Sequence, residues 1–292
     1  MYDICTIGHI TSDRVVTKNS VRYMPGGTAY YCSKALNTLN INSILLTAVG
    51  EREMHVVDSL RKEGIEIKTS PSRETVFFEN IYQEDQDHRE QNVLAIADAF
   101  TLSSIEGVEA KIYHLGPLLS HDIPVPIIEA LSKKGMVSLD IQGFLRSVHN
   151  RKVEFSDWKY KIEALSFISI LKANEFEMEI TCGCSDPYEG AKKLAGWGVK
   201  EVIITLGSKG SIVYCNGSFT EIPAFTPSII ADATGCGDTY MAGYLYKKIK
   251  NAPVSEAGSF GAAMATLKIQ TSGPFAGTQM QAETLSRSYV PI

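Results

Sequence analysis

An α/β fold, with a mostly parallel sheet covered by helices on both faces and a small β lid added to it, is the architecture this sequence predicts. Three observations carry that prediction. Short runs rich in Ile, Leu and Val recur along the chain, each ending at a polar or glycine residue. Between them lie segments with apolar residues at helical spacing, often closed by glycine. Two stretches break the alternation with a period of two and no crossover helix. Continuously apolar strands need cover on both sides, and alternating helices supply it.

In chain order, the strand runs are YDICTIGH (2–9), SILLTAVG (43–50), AKIYHLG (110–116), GMVSLDIQG (135–143), FISILKAN (167–174) and EVIITLG (201–207). GGTAYYCSKALNTLN, MHVVDSLRKEG, DIPVPIIEALSKKG and PYEGAKKLAGWG supply the helical spacing between them. A hairpin is expected over 210–222, and the last third is helical in GDTYMAGYLYKKIK, SEAGSFGAAMATLKIQ and GTQMQAETLSRSY. The two exceptions are RVVTKNSVRYM (14–24) and ETVFFENIYQEDQDHREQNVLAIA (74–97), the latter a hairpin with the polar tip QEDQDHRE. One domain over 1–292 is therefore expected, with the lid formed by about 11–24 and 73–97. An edge hairpin on the main sheet is the alternative to a lid. In open α/β sheets ligands bind beyond the carboxyl ends of the strands, so the chemistry is sought there.

Composition narrows the partners. A formal net charge of −5 on 292 residues argues against a non-specific binder of nucleic acid or anionic membrane. The six cysteines are scattered, with no C-x-x-C and only Cys182 and Cys184 close together. They read as small apolar residues in a reducing compartment rather than as zinc ligands. The first residues lack a basic region followed by a long apolar run, and no stretch approaches the ~18 apolar residues of a membrane span. A cytoplasmic location is expected.

The densest chemistry lies in DATGCGDTYMAGYL (232–245). Gly235 and Gly237 let the backbone approach a ligand closely. Their N–H groups, with that of Cys236, are expected to open from the mouth of a helix, where free donors and the macrodipole favour an anion. That is a place to stabilise a phosphoryl group in transfer. Asp238 stands beside those donors, positioned to accept a proton from an attacking hydroxyl. The helix end is expected to keep its carboxylate ionised at neutral pH. A weak base suits phosphoryl transfer, where the nucleophile loses its proton late. Alone, the same pattern also describes a capping aspartate after a tight turn.

The stretch resembles the signature of the ribokinase-like, or PfkB, carbohydrate kinases, with Cys236 at the usual alanine. Further marks follow in the family's order: Asp13 in GHITSD, Gly26 and Gly27 in PGGTAYY, Asn174 and Glu177 in NEFE, and Thr205, Gly207 and Gly210 in TLGSKG. The resemblance runs from about residue 3 to about residue 275. It implies a ribokinase-like fold and an ATP-dependent kinase with Mg²⁺. Asp13, Gly26 and Gly27 hold the acceptor in that reading, and Asn174, Thr205, Gly207 and Gly210 border the nucleotide. Glu177 organises Mg²⁺ through water, and Asp232 and Thr234 contribute to a monovalent-cation site for K⁺.

Each mark also has its own physics. An aspartate can accept two hydrogen bonds from adjacent hydroxyls, or can simply cap a turn. Gly26–Gly27 opens a helix, with or without a substrate beside it. Asn174 and Glu177, three apart, share a helix face and equally fit a capping box. TLGSKG fits a hairpin turn as well as a nucleotide border. Tyr31 stands where the family often has asparagine, preceded by Tyr30; it fits either stacking on a substrate or packing in the core. SLDIQGFLR (138–146) resembles the family's D-P-N-x-R stretch, with Gln142 in place of asparagine and Arg146 at its end. Phe78 or Asn80 is a candidate substrate-facing residue of the lid, since alternate residues share a face.

No P-loop, dinucleotide fingerprint, H-E-x-x-H or G-x-S-x-G is present, and His9 reads as structural. The expected enzyme phosphorylates a hydroxyl of an uncharged sugar or cyclitol such as inositol. A nucleoside kinase of the same family is the alternative, and an inactive nucleotide- or sugar-binding regulator is the alternative of another class. A homodimer through the lid is a further expectation, because open strand edges invite pairing.

Overall fold

A computed structural model describes residues 1–18, 20–82 and 89–288. Fifteen strands alternate with nine α-helices among these residues. The first half contains β1 (Tyr2–Ile7), β2 (Thr11–Thr17), β3 (Ser20–Gly26), α1 (Thr28–Asn37), β4 (Ser43–Val49), α2 (Met54–Lys62), β5 (Glu66–Pro71), β6 (Val76–Tyr82), β7 (Arg89–Ala95) and β8 (Ala110–Leu115). It continues with α3 (Val125–Ser132), β9 (Met136–Asp140), β10 (Arg146–His149), β11 (Lys152–Phe155), α4 (Lys161–Leu165), β12 (Ile170–Asn174), α5 (Glu175–Cys182) and α6 (Pro187–Gly196). The last part holds β13 (Glu201–Thr205), β14 (Ser211–Cys215), β15 (Ser218–Ile222), α7 (Cys236–Ile249), α8 (Val254–Ile269) and α9 (Gln279–Arg287).

The main sheet has nine strands in the order β15-β14-β13-β12-β9-β8-β1-β4-β5. Its strands run parallel except for the antiparallel β13–β14–β15 hairpins at one edge. The apolar runs of the sequence are buried on both faces. In β13, Val202 and Ile204 join one core with α3 to α6, while Ile203 joins another with α1, α7, α8 and α9. This is the α/β architecture expected. β5 is an addition to it, a short strand closing the edge beside β4.

A second sheet of six strands has the order β10-β11-β7-β6-β2-β3. Residues 14–24, expected as one strand, form a reversal instead: β2 and β3 are antiparallel, with Asp13 opposite Met24 and Thr11 opposite Gly26. The Thr17 and Ser20 side chains bond across the turn. The β9 run is also shorter than expected. It stops at Asp140, and the chain turns before feeding β10 and β11 into the second sheet. The polar tip expected at 83–90 falls largely on 83–88, outside the described residues. β2 pairs parallel with β6 and places Asp13 beside Phe78 and Val15 beside Asn80. Phe78 packs with Val76, Val93, Ala97 and Leu118, so this face of the sheet looks onto the main body. Among the described residues no helix is long and apolar enough to cross a membrane.

Candidate active site

The sequence places its marks after strands, and the register explains how they meet. β12 pairs with β13 so that Asn174 lies beside Thr205. It also pairs with β9, placing Lys172 beside Asp140. All four residues end up at the carboxyl edge of the main sheet, where the last amides and carbonyls of parallel strands open into a crevice.

α7 starts at this edge. Gly235 is its N-cap, in the left-handed conformation with φ 76°. A Cβ there would overlap the ring of Tyr31 from α1, so both φ and close packing demand glycine. The Cys236 amide, expected among the donors at the mouth, is instead engaged by the Ala233 carbonyl at 3.2 Å, closing the turn ahead of the helix. The Cys236 thiol lies against the Ala265 carbonyl at 3.7 Å, on the α8 side. Burial pushes that thiol up to about 11, so it is neutral at physiological pH.

Asp238 is half-buried in the first turn of α7. Thr28, first in α1 after the Gly26–Gly27 turn, is the polar side chain that favours its charged form. Burial and the neighbouring Asp140 carboxylate raise Asp238 to about 7, against the opposing pull of Lys172. The expectation of a firmly ionised carboxylate at neutral pH is therefore corrected. The helix end favours the anion, but withdrawal from water and two further carboxylates, Asp140 and Glu177, oppose it.

Lys172 is the buried cation of the site. Its ammonium is 2.9 Å from Asp140 and 3.7 Å from Glu177. Burial alone would lower this lysine, but the Asp140 and Glu177 charges outweigh that and hold it protonated. A Cβ on Gly237 would be 3.3 Å from its Nζ, so the charge sits directly behind the α7 mouth. Neither Lys172, Thr28 nor Asp140 was singled out from the sequence. Each follows a motif residue by chain or by register, and only register reveals the last pair.

Asn174 caps α5. Its side chain accepts from the Glu177 amide and the Glu177 carboxylate accepts from the Asn174 amide, both at 2.8 Å. The other Glu177 oxygen accepts from Gln142 Nε2 at 3.2 Å, and the residue is 1% exposed. Among the described residues no cluster of three His, Cys, Asp or Glu side chains could hold a metal ion. Thr205 is half-buried, with its hydroxyl 3.4 Å from the Ala173 carbonyl. Gly207 (φ 59°) faces open space. Gly210 (φ 98°) does not, since a Cβ there would overlap the Ile222 carbonyl.

On the other side of the crevice the Asp13 carboxylate lies over Gly26, where a Cβ would come within 2.7 Å of Oδ2. Gly27 (φ 94°) packs on the His9 carbonyl. Tyr31 is 3% exposed and meets Tyr30 edge-on at 5.3 Å, so it belongs to the core. Burial raises its phenol, as do the carboxylates of Asp232, Asp13 and Asp238. Its hydroxyl thus stays protonated near Asp13 from the start of the chain and Asp232 and Asp238 from the single DATGCGD stretch. Arg146 is buried with its guanidinium 5.7 Å from the centre of the Phe155 ring.

Residues 1–280 match the model of the pfkB family carbohydrate kinases. The chain belongs to that family. A cytidine kinase of Thermococcus kodakarensis is 28% identical over 271 residues, covering 89% of this chain and 94% of that protein. A pyrophosphate-dependent kinase of the ribokinase family, solved with sulfate, superposes with a TM-score of 0.87 at 28% identity, over 96% of this chain and 99% of that one. The structure of such a kinase with a pyrophosphate analogue and myo-inositol gives 0.86 at the same identity and coverage. Arabidopsis thaliana ribokinase with ribose and ATP gives 0.81 at 20% identity over 98% of this chain and 99% of that one, a likeness of fold. Membership of the pfkB family makes this chain a phosphotransferase acting on a hydroxyl group.

Proposed function

We propose that this kinase transfers the γ-phosphoryl of ATP to a hydroxyl of a small uncharged polyol, a sugar or a cyclitol such as inositol. The observation that carries the reading is Asp238 in the first turn of α7, between the Gly235 cap and the Lys172 ammonium that lies behind Gly237. The acceptor lies between Asp13 with Gly26–Gly27 and the second sheet, which closes over it and excludes water. Asp238 takes the hydroxyl proton. The Gly235 and Gly237 amides, with the Lys172 charge behind them, stabilise the phosphoryl group in transfer. Asn174, Thr205 and Gly207 border the nucleotide, whereas Gly210 serves the hairpin. A Mg²⁺ ion bound with the donor would supply charge neutralisation for its phosphates, and Glu177, its oxygens already engaged, would act on that ion only through water. The open edge of the second sheet at β3 is where a second copy would pair.

Two alternatives have specific support. The solved pyrophosphate-dependent kinases favour pyrophosphate as donor, and the cytidine kinase favours a nucleoside as acceptor. Turnover measured with ATP and with pyrophosphate, each against sugars, inositols and nucleosides, separates them. Asp238→Asn is expected to lower turnover on the true acceptor by about 10²-fold or more while donor affinity is preserved. Near-normal turnover of that variant would remove Asp238 from the role of base. No turnover with either donor across the panel would favour a binding protein without catalysis.

A further inference from the structure

The family resemblance implies a monovalent cation beside Asp232, and the residues found there do not fit one. The place is taken. Lys268, near the end of α8, has a fully buried side chain that points back at the turn leading into α7. Its ammonium is 2.9 Å from the Asp232 carbonyl, 3.3 Å from the Thr271 carbonyl and 3.3 Å from the Asp232 carboxylate. Two of its protons go to the two carbonyls, and the carboxylate completes the cage as an ion pair.

The same oxygens are tied to the catalytic turn from the other side. Asp232 accepts from the Thr234 amide at 2.9 Å and from the Gly273 amide at 3.3 Å. The amides of Ala231 and Asp232 both donate to the Ile269 carbonyl. Burial would raise the Asp232 carboxyl, but Thr234, Lys268 and Gly273 together hold it below the usual range. The approach to Gly235 is thus clamped to the α8 terminus through one fixed positive charge.

We propose that Lys268 is a built-in replacement for a monovalent cation, so that this kinase works without K⁺. Carbonyl and carboxylate oxygens arranged around a single positive charge are what K⁺ requires, and the ammonium supplies that charge on a tether. A second cation in the same cage would face direct repulsion in a poorly solvated site. Lys268 is a positioning residue. It touches no reacting atom, and it acts by holding Asp232 and hence the Gly235–Gly237 turn. The cost of ordering a free ion is avoided, because the charge is part of the fold.

The effect on turnover rests on the kinase reading, whereas cage occupancy can be read without it. Thermal unfolding and turnover are measured for the full chain in tetramethylammonium chloride, an ion too large for the cage, and again with KCl or NH₄Cl at equal ionic strength. The wild type is expected to show the same Tm and turnover in all three salts. Lys268→Ala is expected to lose at least about tenfold in turnover in tetramethylammonium and to regain most of it, with a rise in Tm, in K⁺ or NH₄⁺. Lys268→Met, which fills the space without a charge, is expected to lose turnover and to regain none. A wild type whose Tm or turnover rises with K⁺ would overturn the proposal. So would a folded Lys268→Ala indifferent to K⁺ and NH₄⁺. If Lys268→Ala does not fold, the wild-type comparison decides alone. If no acceptor is phosphorylated the kinase reading falls, and the salt dependence of Tm still tests the cage.

Discussion

Asp238 shares a small volume with Asp140 and Glu177, and Lys172 neutralises only part of that charge. A base must be deprotonated to accept the hydroxyl proton. With its carboxyl raised to about 7, kcat/KM should rise with pH through neutrality and level off above it. Asp140 is the neighbouring charge that raises Asp238 most, and Lys172 is the one that lowers it most. Asp140→Asn removes the first and releases the second, so both changes favour the Asp238 anion. The acid limb of the profile should then move down by about one pH unit, while an unmoved limb would show that another group sets it. The sequence makes Asp238 conspicuous through its glycines. It gives no sign of Lys172 as a neighbour, because a lysine inside an apolar strand carries no motif, and although Asp140 lies in the flagged SLDIQGFLR stretch, only strand register brings it to the site. Tyr31 shows the reverse. The sequence flags it as a departure, and its packing against Gly235 is a contact that only the folded chain displays.

Among elements, α5 shows how one pattern can serve structure and site together. Asn174 and Glu177 satisfy each other's amides, as a capping box does, and this same geometry fixes them beside Thr205 at the crevice. Asn174→Ala should therefore cost about 1 kcal/mol of stability, roughly 2 °C in Tm, and weaken the donor more than the acceptor. Equal losses in the KM values of both substrates would indicate a purely structural cap. Long apolar strands and well-punctuated helices were legible because burial imposes a period on them. β10 and β11 were not. Each has four residues, and they join through Asn150 and Arg151, both with positive φ. Without a glycine in that turn, RSVHNRKVEF lacks the usual signal of a tight hairpin. The 14–24 segment hid its reversal similarly, because period-two patterning continues through both strands of a hairpin.

At the scale of the molecule, the second sheet is joined to the main body by several crossings, and its roots converge on one buried pair. His9 lies in the connection from β1 to β2. Its Nδ1 is 3.3 Å from Asp122, in the loop after β8, and its Nε2 is 3.0 Å from the Asp98 carbonyl, in the connection leaving β7. The Asp98 carboxylate receives the Arg73 guanidinium at 2.6 Å, from the connection between β5 and β6. Three of the crossings between the two sheets are thus fastened together. Burial alone would lower His9, but the Asp122 charge 3.3 Å away outweighs it and holds the imidazole above its ordinary value. Burial would likewise raise Asp122, yet His9 and the Leu118 amide keep it low. A group whose folded-state pKa is raised contributes fully below its unfolded value, about 6.5 for histidine, and loses that contribution as pH rises through the folded value. The depressed Asp122 contributes above its own unfolded value and loses that contribution only in acid. Wild-type stability should therefore decline as pH rises above about 6.5, the unfolded value, and His9 gives up its proton. Asp122→Asn should be less stable by about 3 kcal/mol near pH 6, and the gap should close as pH rises. Urea unfolding at several pH values reads this directly. Parallel curves for the two proteins would mean that His9 is neutral, and that hydrogen bonds alone hold the second sheet to the body.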